Sequence, residues 1–178
     1  MIKKLRKSSE YFVYVAGFLL FISVFLVSAE VILRKFFLIS FTGTDELAGY
    51  ALGICTSWSL AYVMFEKMHI RIDVVYNKVS KKVQNLFDVI AMGFTLGFTG
   101  LLVYFSFDVF YTSFIKNSTA NTSLGTPLWI PQFLWVFGYV FFLLVIVILF
   151  FKAIKTLFDN KANEYTNVKK ETYDIDTN

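Results

Sequence analysis

The side chains that could do chemistry in this 178-residue chain are few and far apart: one histidine, His69, and one cysteine, Cys55. Haem held between helices needs two axial ligands, usually histidines, and a hydrolytic Ser–His pair needs its imidazole beside the nucleophile. His69 supplies neither, because it has no second histidine and falls at the edge of an apolar run rather than within it. Cys55 lies inside such a run, which excludes an intramolecular disulfide or a cysteine-rich metal site and suits a small buried hydrophobe. No catalytic, cofactor-binding or metal site is therefore expected, and the chain is not expected to be an enzyme. The remaining polar groups have structural readings. Glu30 precedes Arg34 by four residues, so the two share a helix face and pair near the outer end. Asp108 is about two turns from Lys116, too far for a direct helical pair, and Thr56, Ser57 and Ser59 form a hydroxyl cluster able to bond across helices. A self-sufficient transporter needs midplane charges, broken helices and internal repeats, which this set does not provide.

The elements carrying these residues are four apolar runs, Tyr11–Leu33, Leu47–Phe65, Val89–Ile115 and Leu128–Phe151. Each is near or above the ~20 residues that a helix needs to cross ~30 Å of hydrocarbon. With 57% hydrophobic and only 17% charged residues and a mean hydropathy of +0.62, the composition lies outside the soluble range. The reading is an all-α integral membrane protein with four transmembrane helices, occupying residues 11–157. Fourteen of the seventeen lysines and arginines fall in residues 1–10, 66–88 and after 151, while only Arg34, Lys35 and Lys116 fall in the other two connections. Such asymmetry sets both termini in the cytoplasm. It also accounts for the net charge of +4 without nucleic acid, since the cations flank the spans instead of lining one face. The first run, with Lys3–Lys7 before it, is too long for a signal-peptide core and is expected to be retained.

Between the second and third spans, Ile70, Val74, Val75, Val79, Val83, Leu86 and Phe87 recur at helical spacing opposite Lys78, Lys81, Lys82 and Gln84. This predicts an interfacial amphipathic helix over 69–88, basic toward lipid headgroups. Thr44 followed by Asp45 and Glu46 predicts the start of the second helix, a capping side chain with acids in the first turn. Pro127 and Pro131 open the fourth, where a missing amide is harmless, with Trp129 in the interfacial belt. Gly49 and Gly53, and Gly93, Gly97 and Gly100, have the spacing of close helix packing, inside this chain or against a partner. The polar tail 158–178 is expected to be a disordered cytoplasmic segment.

In order and spacing these features resemble the small membrane subunit of tripartite ATP-independent periplasmic (TRAP) transporters, the DctQ-type family. The resemblance runs from Val13 to Phe151. It is carried by Arg34, by Phe41-Thr-Gly-Thr-Asp45-Glu46-Leu-Ala-Gly-Tyr50, by Ala61 and His69-Ile-Arg-Ile-Asp73, and by Ser123 through Pro127-Leu-Trp-Ile-Pro131 with Gly138 following. The chain departs from the pattern at Lys67-Met68, where the family often has a glycine. The resemblance implies a scaffold in the bacterial inner membrane beside a large DctM-type subunit that binds substrate and sodium and moves as an elevator. A periplasmic DctP-type binding protein would deliver an organic acid, of sialic acid or C4-dicarboxylate type. It also implies structural or interface roles for Glu30, Arg34, Asp45, Glu46, His69, Asp73, Pro127 and Pro131, and outer loops 34–46 and 116–127 facing the binding protein. The alternatives are an anchor for another membrane complex and a small autonomous transporter.

Overall fold

The structure is a computed structural model that describes residues 2–39, 43–66, 81–122 and 124–158. Four helices account for most of these: α1, Ile2–Phe37; α2, Thr44–Phe65; α3, Lys81–Ile115; and α4, Trp129–Phe158. Each is long and apolar enough to cross a membrane. The described residues include no β-strand, only an isolated bridge between Thr119 and Pro127.

The helices outrun the apolar runs. α1 begins at Ile2, not at Tyr11, because Lys3 to Glu10 contains no glycine or proline to stop it. Of the expected amphipathic segment, residues 81–88 are the first turns of α3 itself, and 69–80 lie outside the described residues, as does the tail from 159. α2 starts where the sequence indicated, but its N-cap is Gly43 rather than Thr44, and no side chain caps it. Gly43 has φ 98°, a left-handed conformation that costs glycine nothing, and a Cβ there would collide with the Leu124 side chain. Asp45 and Glu46 do occupy the first turn.

The chain divides into two compact units, Met1–His69 with Thr99–Val145, and Ile70–Phe98 with Ile146–Asn178. In the first, α1 packs against α2. Ser9, Ala16, Ser23 and Glu30, spaced by seven residues, form the buried stripe of α1, and Thr99, Ser106 and Ser113 repeat that spacing on α3. Seven-residue recurrence is the seam of left-handed helix packing, and small side chains let backbones approach without a solvent-driven hydrophobic effect. Ser9 donates to the Arg6 carbonyl at 2.7 Å, Ser23 to Leu20 at 2.8 Å and Ser106 to Leu102 at 2.5 Å. These hydroxyls are thus satisfied within their own helix and cost little to bury. The Thr99 hydroxyl is buried with no partner among the described residues.

Aromatic rings fill the space between α1, α2 and α4. Phe12 meets Trp58 at 5.1 Å between ring centroids, Phe137 at 5.8 Å and Phe141 at 4.9 Å, the last two edge to face. In the second unit Ile146 is buried, and the Phe150 ring lies 3.6 Å from where a Cβ on Gly93 would sit.

Candidate functional site

Three places in the first unit concentrate polar groups. The first is the N-terminal end of α2. Glu46, in the first turn of the helix, accepts a hydrogen bond from the Tyr50 hydroxyl at 2.5 Å, a pairing that four-residue spacing permits. Its other carboxylate oxygen accepts from Thr122, 76 residues away. The loop carrying Thr122 is shaped by backbone bonds: Ala120 N donates to Thr126 O at 2.9 Å and Leu128 N to Ser118 O at 3.0 Å, with Gly125 in a left-handed conformation. Glu46 therefore fastens the loop before α4 to the start of α2.

About three turns further along, α2 touches α4 at backbone level. The Trp58 indole N–H donates to the Leu134 carbonyl at 2.8 Å. A Cβ on Gly138 would stand 2.5 Å from Ser57 Oγ and 2.6 Å from Trp58 Cδ1, so only glycine fits. Pro131 sits buried in the first turn of α4, where its missing amide is harmless, while Pro127 is exposed in the loop.

Beside this joint, Gly49, Tyr50 and Gly53 of α2 face Leu128, Pro131, Gln132 and Trp135 across an open groove. Nothing lies within 4 Å of a Cβ built on Gly49 or Gly53. Packing inside the described chain does not use this glycine pair. The Gln132 side-chain oxygen is buried there without a partner among the described residues.

Near the C-terminal end of α1, Glu30 is buried and Arg34 reaches it at 3.6 Å while remaining 60% exposed, the pairing that the spacing indicated. At the other end of that helix, Arg6 binds Glu66 at 2.7 Å, tying the start of α1 to the residue after α2. Two expectations change. Cys55 is half-buried rather than enclosed. The hydroxyls of Thr56, Ser57 and Ser59 donate to Leu52, Ile54 and Thr56 carbonyls of α2 itself, not across helices, because a carbonyl three or four residues back is always nearer than a neighbouring helix. Asp45 is exposed, and His69 and Asp73 lie outside the described residues.

Sequence reasoning missed Thr122, Trp58, Leu134 and the Arg6–Glu66 pair. Only Tyr50, four residues from Glu46, carried a local signal.

Four helices long and apolar enough to cross a membrane define a multi-pass membrane protein. Residues 23–156 match the family model described as tripartite ATP-independent periplasmic transporters, DctQ component. The chain belongs to that family and is the small membrane subunit of a transporter that has other components. No curated protein and no solved structure matches it.

Proposed function

We propose that this chain is the fixed membrane scaffold of a sodium-driven TRAP transporter in the bacterial inner membrane, with both termini cytoplasmic. It braces a large DctM-type subunit that moves as an elevator and imports an organic acid, of sialic acid or C4-dicarboxylate type, handed over by a periplasmic DctP-type protein. The observation that carries this reading, given the family, is that polar side chains in the first unit tie its elements together: Trp58 on Leu134, Glu46 on Thr122 and Arg6 on Glu66. Asp45, Glu46, Pro127 and Pro131 keep the outer helix ends in place for the binding protein, and His69 and Asp73 are structural polar positions on the cytoplasmic side. The fourteen-to-three distribution of lysine and arginine supports the orientation.

Reconstitution tests this. Liposomes holding this chain with the large subunit should take up the acid when given binding protein and an inward sodium gradient, and liposomes lacking this chain should not. Uptake by this chain alone would discard the scaffold reading. Charge changes at Asp45, Glu46 or Lys116 should lower uptake at constant membrane abundance if the outer loops meet the binding protein.

A further inference from the structure

Asp108 is a carboxylate in an unusual place for this fold. α3 carries no charged residue between Asp88 and Asp108, a stretch of about 28 Å at 1.5 Å per residue, close to the thickness of the hydrocarbon layer. An independent marker agrees with that depth. The Phe114 ring is 5.9 Å from Trp129, which places Phe114 level with the aromatic belt. Asp108, six residues earlier, is then about 9 Å inward, just inside the hydrocarbon edge.

The carboxylate also faces away from its own chain. α3 buries Thr99, Ser106 and Ser113, and Asp108 is two residues past Ser106, roughly 200° around the helix. Asp108 is exposed, and among the described residues it has no ion-pair or hydrogen-bond partner. The outer cations are placed elsewhere: Arg34 is on Glu30, Lys35 is over the Phe36 ring, and Lys116 is beyond the end of α3. Aspartate is too short to snorkel to water as lysine and arginine do, so at this depth it calls for a partner charge. Around it the surface is hollowed. Tyr104, Phe107 and Tyr111 frame a shallow groove over Gly100, where no atom approaches within 4 Å of a built Cβ. A second helix could therefore come to backbone distance.

We propose that this face of α3 seats a transmembrane helix of the large subunit, and that a lysine or arginine of that helix pairs with Asp108. This inference rests on the scaffold reading above and names the contact it leaves open. The test uses full-length chain co-expressed with the large subunit and purified in mild detergent. Asp108→Asn should reduce the co-purified large subunit by about tenfold, and Asp108→Lys should abolish it, because the partner's charge is left unpaired. Adding Val109→Asp to the Asp108→Asn variant should restore nothing, since it moves the carboxylate about 100° off the face. A benzophenone side chain placed at Tyr104 should photo-crosslink to the large subunit, and one at the exposed Tyr14 of α1 should not. Full retention of the complex by Asp108→Lys overturns this proposal alone, as does crosslinking from position 104 only to lipid or to a second copy of this chain. Absence of any complex with the wild-type chain overturns both this proposal and the scaffold reading.

Discussion

The joint between α2 and α4 and the outer face of α3 solve the problem of polar groups in lipid in opposite ways. At the joint the donor and acceptor meet inside the chain: Trp58 on the Leu134 carbonyl, with Gly138 against Ser57. On α3 a carboxylate is turned outward with no partner among the described residues. Closed polarity stabilises the monomer, whereas open polarity makes the monomer depend on something else. A membrane subunit that has both contains one region built for folding and another built for assembly.

That contrast can be broken most severely at Gly138. Gly138→Leu drives a side chain into Ser57 and Trp58, and overpacking of this kind costs about 1–3 kcal/mol or more. The detergent-solubilised chain should lose a large part of its thermal stability, measured by size-exclusion melting, and a wild-type melting curve would contradict the packing described. Trp58→Phe should be milder, keeping the ring contacts with Phe12 and Phe137 but losing one hydrogen bond worth about 0.5–1.5 kcal/mol. Its melt should shift down by less than that of Gly138→Leu. Glu46→Gln should act locally. The loop over 116–128 should exchange its amide hydrogens faster while the helices keep their protection, and unchanged exchange would mean that Thr122 is held by other bonds. Smallest of all, Asp108→Leu should leave the stability of the isolated chain unchanged or slightly raised, because it removes an uncompensated charge from an apolar face. A clear loss would place Asp108 among the groups that fold the monomer.

The four helices were legible because hydrocarbon imposes its own length on the sequence: Tyr11–Leu33 and Val89–Ile115 announce themselves as long apolar runs with a single charged residue each, Glu30 and Asp108. Their ends were not. Hydropathy reports where a helix meets lipid, but α1 continues through Lys3 and Arg6 and α3 reaches back to Lys81, since polar residues with good helical propensity carry the ladder into water. Among candidate site residues, Glu30 with Arg34 was readable because four-residue spacing fixes their proximity. Glu46 with Thr122, and Trp58 with Leu134, each bridge 76 residues, and no local rule brings such positions together. The cap of α2 misled for a related reason. Thr44 has the chemistry of a capping residue, but the left-handed turn needed to pack under Leu124 falls to Gly43.

The length of α1 has a mechanical consequence. Thirty-six residues make a rod of about 54 Å. Even inclined at about 40°, the upper end of what membrane helices adopt, it would still reach about 41 Å along the bilayer normal, against ~30 Å of hydrocarbon. Part of this rod must stand clear of the acyl chains, and its basic first turns, clamped to Glu66 by Arg6, are the part suited to do so. Such a rod is a lever with its fulcrum in the lipid, so a push on the basic stem arrives at the buried Glu30 end as a displacement in the opposite direction.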